Sequence, residues 1–334
     1  MAEQTNDKSE PVAGPHRRVT LEDIARICEV SKITVSRALR KSPKVRPAVR
    51  EKIEAAAREA GYRINLAARD LRLSHRRRVA IVMDWTPNDA RPMSDPYPLV
   101  LLGGAVEALA TAGYAAVVTT SDPALGAEVS DTSGLILLGQ GADQHTVKEY
   151  SELGLPLVVW GEADGSGSPG PVVVGSDNRL GGAQAATYLL SRGRDRCAFL
   201  GDLRHAEMRA RRDGCAAALG EQGQGLIDVD SDLTAAAAEA EVERLLAEDG
   251  GIDAIFAGSD LMAAGAKRAA ARAGRDVAIV GYDDSPTAVA FGITSVSQDW
   301  FGGGRLLAQT LLELIAGQSP HPPSLPTRLV TRDT

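Results

Sequence analysis

The fold of the N-terminal part is decided by residues 19–40, VTLEDIARICEVSKITVSRALR. Its first half places four apolar side chains on one helical face, Leu21, Ile24, Ala25 and Cys28. Thr20 and Asp23 have the spacing of an N-cap and its N3 partner. The segment Glu29–Ser31 interrupts this pattern, and we expect a second helix to start at Ser31 and to bury Val35, Ala38 and Leu39.

Two short amphipathic helices joined by a tight turn are typical of a helix-turn-helix, whose second helix enters the DNA major groove. A helical hairpin inside a core is the alternative. We predict base contacts from Lys32, Ile33 and Arg37, because Lys and Arg donate to guanine and Ile contacts a thymine methyl. Hydroxyls and helix N-terminal amides predict phosphate contacts at Thr20, Leu21, Ser31, Thr34 and Ser36.

The charge of the chain is unevenly divided. Residues 1–78 carry 19 Lys and Arg against 10 Asp and Glu, which is a net charge of +9. The whole chain has a net charge of −7, so the remaining residues carry −16. A basic head on an acidic body is expected of a module that binds nucleic-acid phosphates and is fused to a domain that does not.

A third helix is predicted after the helix-turn-helix. Pro47 suits a first helical position, and Gly61 is expected to end the helix. The buried stripe of this helix consists of Val49, Ile53, Ala56, Ala57 and Ala60. Three helices in so short a segment predict a compact all-α headpiece.

These segments together resemble the lactose/galactose-repressor family of bacterial transcription regulators. The matching motifs are residues 19–25, Val30-Ser31, Thr34–Leu39, Val45, Gly61-Tyr62 and Asn65-x-x-Ala68-Arg69-x-Leu71. The resemblance implies that Asn65, Ala68, Arg69 and Leu71 belong to a hinge helix, which folds when two subunits meet on a near-palindromic operator. Leu71 then wedges into the minor groove beside Ala68, which requires unstacking of a base step. An ordinary linker is the alternative.

From Val79 onward, short apolar strands alternate with Ala-rich helices. Repeated alternation of this kind predicts parallel sheets covered by helices on both faces. We expect two doubly wound parallel-sheet lobes, as in periplasmic binding proteins, with the Gly-rich segment Gly165–Pro171 as the first passage between them. The predicted domains are a disordered lead-in (1–17), the headpiece (18–63), the hinge helix and linker (64–77) and the core (78–334). Within the core, the N-lobe is predicted to cover about 78–174 plus 296–320, and the C-lobe about 175–293 plus 322–334.

The core also resembles the same family. Its landmarks are Val174-x-x-Asp177-Asn178-x-x-Gly181, Arg211-x-x-Gly214, Ser259-Asp260-x-Met262-Ala263-x-Gly265 and Val280–Asp284. Two departures stand out. Only Ser121–Ser133 is available for the crossover between the second and third strands, which must be shortened. The chain reads Trp160-Gly161-Glu162 where the family often carries a ligand-binding aspartate, which leaves open an effector other than a simple sugar.

Seven side chains are predicted to line a small-molecule cleft at the carboxyl ends of the strands. They lie just past strand ends or match pocket positions of the family: Asp84, Trp85, Trp160, Arg211, Asp260, Asp283 and Trp300. Carboxylates and an arginine hydrogen-bond sugar hydroxyls, and indole faces stack on pyranose C–H surfaces. A sugar-like effector is therefore expected, with a purine or phosphorylated metabolite as the alternative.

Other functional classes find little support in the sequence. The five histidines are scattered, and neither a phosphate-binding loop nor a G-x-S-x-G motif is present, so we predict no catalytic residues, metal or cofactor. The three cysteines are widely spaced, and no signal peptide or membrane span is evident, which predicts a cytoplasmic protein. We expect a homodimeric repressor of carbohydrate genes controlled by its effector. A transporter's solute-binding protein is the second hypothesis, and a nucleotide-binding enzyme the third.

Overall fold

The computed structural model describes residues 19–39, 45–60, 77–85, 96–121, 129, 131–163, 170–248 and 251–333. The chain separates into two units, one ending at Ser74 and the other beginning at His75. The predicted hinge residues Asn65, Ala68, Arg69 and Leu71 lie outside the described residues, as do residues 1–18 and most of the passage Gly165–Pro171. Those predictions therefore remain predictions.

The first unit contains three helices, α1 (Leu21–Cys28), α2 (Lys32–Leu39) and α3 (Pro47–Glu59). The predicted capping box is confirmed: the Asp23 amide donates to the Thr20 hydroxyl at 3.3 Å, and the Thr20 amide donates to the Asp23 carboxylate at 2.9 Å. Glu29 ends α1 in the left-handed conformation, with φ of 54°. Helix α2 begins one residue later than expected because the Ser31 hydroxyl accepts the Thr34 amide, so Ser31 precedes the helix.

The apolar side chains of these helices close one small core. Its buried members are Ile24, Cys28, Val35, Ala38, Val45, Ile53 and Ala57. Leu39 packs against the core but is only partly buried. The helical spacing of apolar residues in the sequence thus identified the inner faces of all three helices.

The N-lobe of the second unit is built on a five-stranded parallel sheet in the order β2-β1-β3-β4-β5. Its strands are β1 (Arg78–Met83), β2 (Ala115–Thr120), β3 (Leu135–Leu138), β4 (Leu157–Trp160) and β5 (Val172–Val174). Its helices are α4 (Pro96–Thr111) and α5 (His145–Ser151), the latter preceded by a 3₁₀ turn at Ala142–Gln144. Strands β3 and β4 are buried along their whole length, as expected of central parallel strands.

The C-lobe has a six-stranded sheet in the order β11-β10-β9-β8-β6-β7, parallel except for the antiparallel pair β10–β11. Its strands are β6 (Cys197–Gly201), β7 (Leu226–Asp230), β8 (Ala254–Ala257), β9 (Ala278–Asp283), β10 (Thr294–Ser297) and β11 (Arg328–Val330). Its helices are α6 (Asn178–Ser191), α7 (Ala206–Gly220), α8 (Ala235–Glu248), α9 (Asp260–Arg272) and α10 (Pro286–Phe291).

The chain returns to the N-lobe through α11 (Trp300–Ile315), which packs against α4 and β4. The approximate lobe boundary predicted near residue 296 falls inside β10, whose residues Val296 and Ser297 pair with β9 in the C-lobe sheet. The sequence pattern did not predict strand β7 or helix α10. Strand β7 was missed because it lies at the sheet edge and buries only Val229, so its LIDVD segment lacks the continuous apolar run of the central strands.

Glycines bring neighbouring helices into backbone contact. A Cβ on Gly104 of α4 would lie 2.2 Å from the Phe301 carbonyl oxygen of α11, and one on Gly304 would lie 2.0 Å from the Leu101 carbonyl oxygen. Helices α6 and α7 cross in the same way, because a Cβ on Gly182 or on Gly214 would come within 2.0 Å of a facing carbonyl oxygen. No side chain fits at these crossings, so glycine sets the helix separation.

We predict that Gly104→Ala destabilises the core by about 1–3 kcal/mol, because the added methyl group must push α4 and α11 apart. Gly103→Ala is the matched control, because its added Cβ would meet nothing within 4 Å. Alanine stabilises a helix relative to glycine by about 0.5–1 kcal/mol, so this variant should be slightly more stable than the wild type. Urea unfolding midpoints of the two variants measure the difference. Equal midpoints would show that the crossing tolerates a side chain.

Candidate functional site

The predicted DNA-contacting residues lie at the start of the headpiece and along α2. Arg37 and Ile33 are both exposed on α2, with Ile33 at 62% exposure. Lys32 is less free than the sequence implied, because its ammonium pairs with the Glu22 carboxylate of α1 at 2.5 Å. The hydroxyls of Ser31 and Thr34 lie 2.8 Å apart at the N-terminus of α2. The expected DNA contacts of these side chains stay predictions.

A cavity of about 300 Å³ lies between the two lobes of the core. The carboxyl ends of strands from both sheets open onto it, as expected for doubly wound folds. All seven residues predicted for the cleft are on its lining: Asp84, Trp85, Trp160, Arg211, Asp260, Asp283 and Trp300. The structure therefore brings the predicted set together in one place, although their role in binding an effector remains a prediction.

Aromatic rings dominate the N-lobe side of this cavity. Trp85 follows β1, Trp160 ends β4 and Trp300 begins α11, so all three tryptophans of the chain reach the lining. Tyr97 of α4 packs edge-on against Trp300 with ring centroids 5.7 Å apart. The Trp160 ring fits only because residue 303 is glycine, whose Cβ would lie 2.4 Å from it. Such a wall suits the C–H face of a ring-shaped ligand.

Two carboxylates face the cavity from opposite lobes. Asp84 follows β1, and its Oδ1 accepts a hydrogen bond from the Thr146 hydroxyl at 2.8 Å. Asp283 ends β9, and its Oδ1 accepts one from the Gln298 side chain at 2.7 Å. Its backbone has φ of 108°, a conformation that aspartate and asparagine adopt more readily than most residues. Each lobe thus contributes one acidic acceptor for ligand hydroxyls.

Asp260 has a different environment from the other predicted acids. It is 1% exposed, and its two oxygens accept the Ser295 hydroxyl at 2.6 Å and the Ser285 amide at 2.7 Å. Burial raises the pKa of Asp260 to about 6, although these hydrogen bonds partly oppose the shift. The carboxylate joins α9, α10 and β10, which makes it first of all a support for the cavity wall.

Arg211 is the basic side chain of the predicted set, and it is almost fully buried on α7. Its guanidinium lies 3.6 Å from the ring centroid of Tyr282. Its Nε donates to the Asn178 side-chain oxygen at 2.9 Å, and its Nη1 donates to the Gly258 carbonyl at 2.6 Å. Burial alone would lower the pKa of Arg211, but Tyr282, Asp283 and Glu207 raise it above its ordinary value, so the group stays charged.

Sequence reasoning missed several polar residues on the lining. Asn178, His205, Glu207 and Gln298 all reach the cavity. Three of them stand at or beside helix N-termini that follow strands: Asn178 begins α6, while His205 and Glu207 flank the start of α7. That position after a strand was the available signal. By contrast, Glu162, noted for its departure from the family pattern, does not line the cavity.

The lobes also touch through their backbones. The Asp143 amide of the N-lobe donates to the Arg204 carbonyl of the C-lobe at 3.0 Å. Asp143 and Gln144 are both left-handed, with φ of 53° and 57°. Arg204 in turn chelates the buried Asp202 carboxylate through two nitrogens. This contact fixes the spacing of the two lobes beside the cavity.

Metal and membrane sites receive no support from the described parts of the chain. Within them, no group of three or more His, Cys, Asp or Glu side chains is placed to hold a metal ion, and no helix is long and apolar enough to cross a membrane. The three cysteines are buried free thiols.

Comparison with known proteins identifies the family. Residues 20–65 match the model for bacterial regulatory proteins of the lacI family, and residues 186–334 match the periplasmic binding protein-like domain. The regulator CelR of Thermobifida fusca is 31% identical over 95% of this chain and 98% of its own length. The ribose operon repressor of Escherichia coli K12 is 28% identical over 79% of this chain and 83% of its own length.

Solved structures agree with this assignment. A complex of the regulator CelR with cellobiose is 30% identical, with a TM-score of 0.68 and coverage of 94% of this chain and 99% of that one. A lac repressor dimer bound to operator has the same fold, with 24% identity, a TM-score of 0.80 and coverage of 95% and 98%. The chain belongs to the lacI family of bacterial regulatory proteins. It is a DNA-binding transcriptional regulator, which confirms the first hypothesis over the solute-binding protein of a transporter.

The raised pKa of Asp260 makes stability depend on pH. Between about pH 4 and pH 6 the folded state holds a proton at Asp260 that the unfolded chain has released, so this contribution to the free energy of unfolding is lost as pH rises through 6. We expect the stability advantage of the wild type over Asp260→Asn to be larger at pH 5 than at pH 8, by about 1 kcal/mol. Urea titrations at both pH values measure it. An advantage that stays constant or grows with pH would contradict the assignment.

Proposed function

We propose that this regulator is a repressor of carbohydrate uptake or utilisation genes and that an uncharged sugar in the inter-lobe cavity controls its affinity for the operator. The observation that carries the proposal is the composition of the cavity, in which three tryptophans face carboxylates and a single arginine. Polar side chains that converge on an aromatic wall recognise a polyhydroxylated ring, because its edge is polar and its faces present C–H groups.

The charge of the lining favours an uncharged effector over a phosphorylated one. The cavity is lined by the acids Asp84, Glu207 and Asp283, besides the internally bonded Asp260. Against these negative charges, the described lining contributes the positive charge of Arg211. A phosphate or carboxylate group entering this space would be repelled by more charges than attract it. Hydroxyl groups carry no such penalty, since they donate to the carboxylates and accept from Arg211.

The names of the relatives point to the same chemistry. One relative is a ribose operon repressor, and a CelR structure contains cellobiose. Cellobiose is therefore the first ligand to test, and ribose the second. The proposal further includes a cytoplasmic homodimer that reads a near-palindromic operator, as supported by the solved lac repressor dimer bound to operator. It includes no catalytic step.

We expect Arg37→Ala to weaken binding to a specific operator by about 5- to 150-fold, because a bidentate arginine–guanine contact contributes about 1–3 kcal/mol of discrimination. Binding to random duplex should change far less, since phosphates dominate it. The operator is first selected from a pool of random duplexes with the full-length protein, and affinities are then measured by fluorescence anisotropy.

Arg58→Ala is the control for this experiment, because Arg58 is exposed on α3 and is not among the predicted base readers. It removes the same charge, so it should affect specific and random duplex alike. If Arg37→Ala also weakens both duplexes equally, Arg37 contacts phosphate and does not read a base.

We expect cellobiose to raise the melting temperature of the full-length protein and Asp283→Asn to abolish that rise. Asparagine tolerates the unusual backbone at this position but removes the charge that attracts ligand hydroxyl donors. Differential scanning fluorimetry with cellobiose, ribose and glucose 6-phosphate measures the shift.

The same ligands are added to the operator-binding assay. A change of about 5- to 150-fold in operator affinity with a neutral sugar corresponds to the usual range of coupling free energy. Stabilisation by glucose 6-phosphate alone would overturn the assignment of an uncharged effector and favour the phosphorylated alternative.

A further inference from the structure

Glu162 lies just beyond β4 in the N-lobe, outside the cavity lining, but is held firmly in place. Its amide donates to the Gln140 side-chain oxygen at 2.8 Å, and its carbonyl accepts from the Gln140 side-chain nitrogen at 3.0 Å. This reciprocal pair fixes the backbone of Glu162 against the end of β3. The side chain of Glu162 extends from this fixed backbone towards the C-lobe.

The carboxylate of Glu162 reaches the C-lobe through Asn178. Its Oε2 accepts the Asn178 side-chain N–H at 2.7 Å. The same amide group of Asn178 donates to the Ser176 carbonyl at 3.2 Å, so its nitrogen faces the lobe boundary and its oxygen faces inward. That oxygen accepts Arg211 Nε at 2.9 Å and the Tyr282 hydroxyl at 3.2 Å.

The partners of Arg211 explain why this arrangement matters. The guanidinium is buried, yet its acceptors are an amide oxygen and a backbone carbonyl, neither of which carries a formal charge. A buried cation whose direct acceptors are neutral is unfavourable unless negative charge lies close by; Asp283 and Glu207 supply part of that charge, and the Glu162 carboxylate lies behind Asn178. The Asn178 amide has a negative carboxylate on its donor side and a positive guanidinium on its acceptor side, so its dipole is polarised in the direction that stabilises both.

We propose that Glu162 is a positioning residue that compensates the charge of Arg211 through Asn178 and thereby holds the guanidinium ready for the effector. Arginine has five N–H donors, and two of them are used in these bonds. The carboxylate in this chain therefore acts behind the arginine, where the family often carries an aspartate that touches the ligand. This inference rests on the proposed function only for the identity of the ligand.

The protonation of Glu162 supplies a probe of the relay. Burial raises the pKa of Glu162 above its ordinary value of 4.5, and the neighbouring Asp177 and Glu207 raise it further. The hydrogen bond from Asn178 and the charge of Arg211 oppose this shift. Glu162 consequently protonates at a higher pH than an exposed glutamate, and lowering the pH removes its charge from the relay.

The first experiment follows the Nε–Hε signal of Arg211 in proton–nitrogen NMR spectra of the full-length protein without ligand. Arg211→Lys assigns the signal by removing it. We expect the signal in the wild type to exchange slowly with water and to move as the pH is lowered from 7.5 to 5. In Glu162→Gln it should start near its low-pH position and lose most of that movement, whereas the exposed Glu152→Gln should match the wild type.

The second experiment measures the dissociation constant of cellobiose by calorimetry at pH 7.5 and pH 5.5. Replacing a charged acceptor by a neutral one should weaken binding about 5- to 10-fold at pH 7.5 in Glu162→Gln. Asp260 also changes its protonation in this pH range, so the relevant quantity is the ratio of the dissociation constant of the variant to that of the wild type. We expect this ratio to be smaller at pH 5.5 than at pH 7.5, because protonation of Glu162 removes the same charge from the wild type.

The two experiments separate the possible failures. If neither cellobiose nor ribose binds the wild type, the proposed effector class is not supported, and the NMR experiment alone decides the relay. If Glu162→Gln leaves the Arg211 signal and its pH response unchanged, or if that signal exchanges rapidly with water in the wild type, the relay is overturned. A lower melting temperature in Glu162→Gln, together with a ratio of dissociation constants that is the same at pH 7.5 and pH 5.5, would also overturn the relay. That result would show that Glu162 has a purely structural role.

Discussion

The burial of one positive charge constrains much of the core. The Arg211 guanidinium lies against the face of Tyr282, and its backbone lies where α7 crosses α6. That crossing is closed to side chains, since a Cβ on Gly182 would come within 2.0 Å of the Arg211 carbonyl oxygen. The glycine in α6 therefore sets the position of the Arg211 backbone in α7, and the Arg211 side chain in turn lines the cavity.

The two lobes contribute different chemistry to the same space. Aromatic rings at the ends of β1 and β4 and at the start of α11 form one wall, and charged and amide groups from the C-lobe form most of the other. The N-lobe adds the Asp84 carboxylate to its aromatic wall, and the C-lobe supplies the other charged groups of the described lining. Because recognition of a sugar requires both kinds of surface, ligand binding and the relative position of the lobes become one equilibrium.

Much of this architecture is legible in the sequence, and the exceptions have physical causes. Buried strands such as β3 and β4 are continuous apolar runs, and cavity residues follow them at known offsets. Strand β7 was missed because an edge strand is half solvated, and α10 because six residues give no periodicity. The role proposed for Glu162 was not predicted for another reason. Its partner Asn178 belongs to the other lobe, and no sequence pattern indicates the hydrogen bond between them.

The contact between Asp143 and Arg204 is made by an amide and a carbonyl, which every residue except proline supplies in full. Side chains on this rim can therefore change through evolution while the bond between the lobes persists. Pocket residues and rim residues are then free to diversify separately, so a new effector preference need not disturb the geometry at which the lobes meet. In this architecture a main-chain hydrogen bond maintains the contact between the lobes, and the side chains that line the cavity can change independently of it.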